Sequence, residues 1–166
     1  MKENKTIEVN SIIQSPTIPS AFEVSDEEKI DKIAKHFKTI METLGLDLSD
    51  DSLKETPKRV AKMYVSEIFS GLNPKNKPEV TLFKNNYGYN QMLVEKNISV
   101  YSMCEHHFVP IIGSAHVAYI ANGKVIGLSK IHRMVKYFSQ RPQVQERLTR
   151  QIMENLKQTL NIDDVA

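Results

Sequence analysis

The sequence predicts an α+β fold in which a layer of helices covers an antiparallel sheet. Apolar residues recur at helical spacing over residues 25–71, at strand spacing over 92–127, and at helical spacing again over 128–160. Helices that are segregated from a run of strands, rather than alternating with them, pack on one face of an antiparallel sheet. At 166 residues the chain has the size of one domain, since domains commonly run about 100–150 residues.

Residues 1–24 carry scattered apolar side chains, Pro16 and Pro19, and no sustained period, which predicts a flexible arm ahead of a domain over 25–166. Ser25 with Glu28 reads as a capping box at a helix start. Ile30, Ile33, Ala34, Phe37, Ile40, Met41 and Leu44 follow as its apolar stripe, and Gly45 suits the position after its end. Thr56-Pro57 reads as a cap followed by proline at the first helical position, opening a second helix. That helix presents Val60, Tyr64, Val65 and Ile68 and stops near Gly71, and residues 73–78 form a linker.

The period then changes. Met92, Val94, Ile98 and Val100 alternate with Leu93, Glu95, Asn97 and Ser99, as in a half-buried strand. A second strand fits residues 111–120, and Asn122-Gly123 is a strong hairpin signal that starts a returning strand at residues 124–127. Ser129 is placed to cap a helix with Ile131, Met134, Val135 and Phe138 on its apolar side, broken at Arg141-Pro142. A last helix carries Val144, Leu148, Ile152, Leu156 and Leu160 at four-residue steps. Residues 161–166 then read as entry into another strand. Two or three strands make a thin sheet under this much helix.

Composition excludes several classes. Forty per cent hydrophobic and 25% charged residues are ordinary for a soluble globular chain. A formal net charge of +2 is too small to imply a nucleic-acid partner. One cysteine allows no internal disulfide framework and fits a reducing compartment. The polar start Met1-Lys2-Glu3-Asn4-Lys5 is no secretory signal. No apolar run approaches the roughly 20 residues of a membrane helix, so no membrane is expected. The expected location is cytoplasmic.

The chemistry concentrates in Cys104-Glu105-His106-His107, on the connection between two strands. A thiolate and an imidazole with two residues between them can grip one zinc ion, which makes Cys104 and His107 the metal-ligand candidates. His106 and Glu105 are then placed for proton transfer. A buried thiol beside solvent-facing histidines has the same Cys-x-x-His spelling. Catalytic zinc normally takes three protein ligands, and His36, His116 and His132 lie in other elements, so a third ligand is not visible. Ser129 and Lys130 at a helix start, with Arg133 and Lys136 one turn on, make a phosphate cradle as readily as a solvated cationic face. Gln145 beside Glu146 offers an amide and a carboxylate to a guanine edge, although such a pair is also an ordinary helix surface.

Four stretches together resemble the GTP cyclohydrolase I family. They are Glu55-Thr56-Pro57-Lys58-Arg59-Val60-Ala61-Lys62-Met63, Cys104-Glu105-His106-His107-Phe108, Val125-Ile126-Gly127-Leu128-Ser129-Lys130 and Gln140-Arg141-Pro142-Gln143-Val144-Gln145-Glu146-Arg147-Leu148. The resemblance implies a T-fold, a small antiparallel sheet backed by helices, whose subunits join strands into an oligomeric barrel, a toroidal homo-decamer. It implies zinc held by Cys104 and His107, His106 as acid/base with Glu105 beside it, and Ser129 among the catalytic groups. Ser129, Lys130 and Arg133 would handle the ribose and triphosphate of GTP, and Gln145 and Glu146 the guanine ring. The implied reaction is hydrolysis of GTP to 7,8-dihydroneopterin triphosphate and formate, the first step of folate and pterin synthesis. Family members continue into strands bearing a further histidine, a cysteine ligand and a phosphate-binding arginine, none of which follows here, so the chain is expected to be a fragment, the alternative being a shortened homologue that lacks normal zinc binding. The alternatives are a non-catalytic T-fold subunit that binds a purine or pterin, and an enzyme of the same fold acting on another purine or pterin.

Overall fold

The computed structural model describes residues 14–166, so the greater part of the expected arm lies outside the described residues. Residues 14–24 form turns, with Ala21 N donating to Ile18 O at 3.0 Å and the Lys29 ammonium 5.3 Å above the Phe22 ring.

Helix α1, Asp26–Thr43, starts and stops where its sequence directs. The Ser25 side chain accepts from Glu28 N at 3.2 Å. The reciprocal half of the capping box is replaced, because the Glu28 carboxylate takes the Lys32 ammonium at 2.7 Å. At the other end Gly45 has φ +83°, its N–H donates to Glu42 O, and Leu46 N donates to Met41 O. That is a Schellman stop, in which glycine supplies the left-handed residue without steric cost. Helix α2, Thr56–Met63, lies against α1. The expected Thr56 cap is its first helical residue instead, and Glu55 occupies the cap position. The reason is local: Thr56 N already donates to Leu53 O, and Glu55 O accepts from Arg59 N, so helical backbone begins one residue early. A wider π turn over Tyr64–Ile68 follows, then a 3₁₀ turn over Ser70–Leu72.

The strands are β1 (Leu82–Lys84), β2 (Met92–Cys104), β3 (Pro110–Ile120), β4 (Lys124–Ile126) and β5 (Pro142–Gln143). They form a three-stranded sheet in the order β3-β2-β5 and a two-stranded one of β1 and β4. Sequence alternation misassigned one face of β2. A bulge between Glu95 and Ile98 shifts the register, so Ile98 and Val100 are buried while Met92 and Val94 are exposed. An extra residue reverses every side chain beyond it, since the strand period is two. The expected return of β4 along β3 also does not occur. Gly123 turns with φ +70°, but β4 pairs with β1 through Leu82↔Ile126 and Lys84↔Lys124. The edge of β3 is already taken: Val165 bridges Tyr119, and Ala118 and Ala166 exchange hydrogen bonds at 2.7 and 2.8 Å. Residues 161–166 thus approach the sheet as their sequence predicts.

Helices α3 (Leu128–Ser139) and α4 (Gln145–Leu160) form the layer over the sheet. Ile131, Met134, Val135 and Phe138 of α3, with Ile152, Leu156 and Leu160 of α4, pack on Ile98, Val100, Val117 and Tyr119. Gly71 fastens the helical layer from outside. It donates to Gln140 O at 2.9 Å, and its carbonyl accepts from Arg141 Nε at 2.8 Å. A Cβ there would stand 2.0 Å from the Tyr137 carbonyl oxygen. Backbone cannot yield as a side-chain tip does, and overpacking of this kind costs about 1–3 kcal/mol. Gly71→Ala should therefore lower the urea midpoint without changing the m-value. An unchanged midpoint would show that this crossing has room to spare.

Candidate active site

The turn after β2 carries the reactive side chains. Cys104 N donates to Val109 O at 2.8 Å and Phe108 N to Cys104 O at 2.9 Å, closing a tight hairpin that forces Phe108 to φ +55°. Cys104 Sγ stands 3.9 Å from His106 Nδ1 and 4.0 Å from His107 Nδ1, and both rings are exposed. The His106 backbone N–H facing the sulfur lowers the thiol pKa, aided by His107 N–H and the His106 ring and opposed by desolvation. A lowered thiol pKa favours the thiolate, which is the form that binds metal.

The donor set suits zinc in part. A sulfur and a nitrogen bound tetrahedrally to one zinc are roughly 3.5 Å apart, close to the observed separations. No group of three or more His, Cys, Asp or Glu suited to a metal is gathered among the described residues. His116 Nδ1 faces Asn97 N at 3.1 Å, and His132 Nε2 lies 2.9 Å from Glu95. Cys104 and one of its neighbouring histidines are thus the two side chains here that could hold a metal together.

The turn is held to the start of α4. Two-residue β5 runs parallel to the end of β2, with Met103 opposite Pro142 and Cys104 opposite Gln143. Glu105 N donates to Gln143 O at 3.1 Å. Gln143 itself is fully buried and donates to both Phe138 O and Gln151 Oε1 at 2.8 Å. From that anchor α4 starts at Gln145, and Gln145 and Glu146 stand exposed on its first turn. Arg147 reaches back to Glu105 with both terminal nitrogens, one pair at 3.1 Å and the other closer. Sequence reasoning gave Arg147 no role. Its only sequence signal is an arginine beside the Gln-Glu pair, and its partner lies 42 positions earlier.

Ser129, Lys130 and Arg133 gather on the first turn or so of α3, with Ser129 and Arg133 exposed and Lys130 half-buried. The expected cap shifts by two residues. Gly127, extended at φ −64° and ψ 134°, holds the cap position, so Ser129 lies inside the helix. This cationic group is at the opposite end of α3 from the turn. Ser129 to Ser139 spans about 15 Å at 1.5 Å per residue, and only then does the chain reach β5 beside Cys104. One chain brings the helix start bearing Gln145 and Glu146 to the Cys-Glu-His-His turn and leaves Ser129 and Lys130 at the far end of α3, with Arg133 about midway along it.

The Arg147 side-chain hydrogen bond holds the Glu105 carboxyl below its usual pKa near 4.5, with burial opposing it and the charges of Arg147 and His106 adding to it. A depressed folded-state pKa contributes stability that is complete above the unfolded value and is lost as pH falls through the folded one. The stability gap between the protein and its Glu105→Gln variant should hold above about pH 5 and narrow as pH falls below the usual Glu value of 4.5. A gap in the urea midpoint that is constant over this range would contradict the ion pair.

The GTP cyclohydrolase I family profile matches residues 33–166. A Flavobacterium johnsoniae protein named GTP cyclohydrolase 1 is 59% identical over 157 residues, covering 95% of this chain and 70% of that relative. Proteins of the same name from Aeromonas salmonicida and a Shewanella species are 54% and 51% identical over 154 residues, each alignment covering 93% of this chain and 70–71% of the relative. The family match spans the turn, both helix starts and the β5 crossing, and the relatives are this similar over nearly the whole chain: the chain belongs to the GTP cyclohydrolase I family.

Proposed function

We propose that the chain acts in zinc-dependent hydrolysis of GTP to 7,8-dihydroneopterin triphosphate and formate, the entry step to folate and pterin synthesis in the cytoplasm. One observation supports the reading: β5 pairs with the end of β2, and Arg147 of α4 meets Glu105, so the Cys-Glu-His-His turn and the start of α4 lie together; in this reading the turn holds the metal and Gln145 and Glu146 meet guanine. Cys104 and His107 would hold the metal, which when bound supplies an acidified water as nucleophile toward C8 of the guanine ring.

The chain's own groups supply the rest. Glu146 accepts from the guanine N1–H and exocyclic amine, and Gln145 reads the adjoining edge. A site built to pair these donors rejects a purine that lacks them. His106, exposed and 3.9 Å from both Cys104 Sγ and the Glu105 carboxylate, moves protons during ring opening and formate release. Glu105 is kept ionised beside it by the Arg147 fork. Ser129 meets the ribose, and Lys130 and Arg133 receive the triphosphate at the amino end of α3, where backbone N–H groups also point.

The distance between that helix start and the turn supports a site shared between subunits of a ring-shaped T-fold barrel, a decamer by family resemblance. Met92, Val94, Tyr101 and Ile112 are exposed on the sheet. Among the described residues β2 pairs with β5 only at Met103 and Cys104, which leaves most of that edge open. Proteins usually pair or cover such edges.

A non-catalytic purine- or pterin-binding subunit is the second reading, favoured by the two-donor metal set among the described residues. Formate release separates the two. Cys104→Ala and His107→Ala should each abolish formate release from GTP and zinc retention while leaving the circular dichroism unchanged. Full release from either variant without zinc contradicts the assignment, and GTP binding with neither zinc nor formate favours the second reading. Light scattering tests the shared site: a large, closed oligomer is expected, and an active monomer refutes it.

A further inference from the structure

Arg147 lies on neither side of the chemistry proposed above, yet it touches the element that carries it. Its guanidinium and the Glu105 carboxylate are both largely enclosed, with side-chain exposures of 17% and 21%. The contact is two-pronged, each terminal nitrogen meeting a separate carboxylate oxygen. This fork geometry fixes orientation as well as distance, which a lysine ammonium cannot do. Glu105 is flanked by Cys104 on one side and His106 and His107 on the other, so clamping Glu105 sets the path of all three. Arg147 follows directly after Gln145 and Glu146 on the rigid start of α4. The opposing backbone of the turn includes a left-handed non-glycine residue, Phe108. Such a conformation persists only where its surroundings hold it.

We propose that Arg147 is a positioning residue that locks the Cys-Glu-His-His turn to the purine-reading start of α4, through Glu105 and alongside the Glu105 N–H bond to Gln143. The inference rests on the proposed function only for the identity of what the turn and helix bind. The lock itself is a property of the chain. It predicts that the metal-binding side chains lose their common geometry when the fork is removed, even though Arg147 meets neither metal nor nucleotide.

The test uses Arg147→Met, Arg147→Lys and Glu105→Gln in the whole protein. The first readout is hydrogen exchange of the Cys104, Glu105 and Phe108 amides, which needs no metal. Arg147→Met should speed exchange at all three by tenfold or more while leaving the buried α4 amides unchanged. Glu105→Gln combined with Arg147→Met should add little beyond Arg147→Met alone, because the two side chains act as one unit. The second readout is cobalt(II) titration, followed by thiolate-to-metal absorption. Loss of a supporting contact typically weakens metal affinity by about 10–100-fold, and Arg147→Lys should recover part of that loss. Unchanged amide exchange in Arg147→Met overturns the lock, whatever the metal does. Faster exchange in a protein whose parent shows no cobalt–thiolate band keeps the lock and refutes the metal reading instead.

Discussion

The parallel seat of two-residue β5 against the end of β2 is the constraint on which the rest of the molecule depends. It is short, so backbone pairing alone holds it weakly. Its strength comes from Gln143, fully buried, whose amide satisfies the Phe138 carbonyl at the end of α3 and the Gln151 side chain on α4. An unsatisfied buried amide costs about 1–3 kcal/mol, so each of those groups favours the one arrangement that pairs them. The same register delivers the Gln143 carbonyl to Glu105 N and aims the first turn of α4 at the reactive turn.

The helix break upstream is held as firmly. Arg141 is 9% exposed, with its guanidinium 4.5 Å from the Tyr137 ring and 4.6 Å from that of Phe138. Burial disfavours its charge, and the two aromatic faces with the Gly71 carbonyl offset that cost. The glycine against which it packs cannot carry a side chain. Pro142 then prevents α3 from continuing. Packing of α3, the crossing at Gly71 and the seating of the turn are therefore one connected structure, and the exposed functional groups project from its rim.

Local features were legible in the sequence because their causes are local. Ser25 and Gly45 bound α1 through contacts within a few residues, and the four-residue stripe of α4 becomes its buried face. The Cys-Glu-His-His turn lies between strands as its surroundings imply. The expected caps at Thr56 and Ser129 moved by one and two residues through local backbone geometry; the larger failures depended on partners distant in the chain. The bulge at residues 96–97 reverses half of β2, and no alternation pattern reveals where a strand gains a residue. Asn122-Gly123 does turn the chain, but pairing of Ala166 with Ala118 decides what β4 meets next. Three-residue β1 and two-residue β5 are too short to show a period. Arg147 was missed because its meaning depends on Glu105, which only the fold brings close.

The geometry joins the Cys-Glu-His-His turn to the start of α4 across one strand pair, and the proposed function rests on that join. Diffraction at the zinc absorption edge from crystals holding zinc and a non-hydrolysable GTP analogue tests that join most directly. The account predicts a zinc peak bonded to Cys104 Sγ at about 2.3 Å and to a His107 nitrogen at about 2.0 Å, with the purine edge on Glu146. A zinc peak away from the turn, or a purine bound without contact to Gln145 and Glu146, would contradict it.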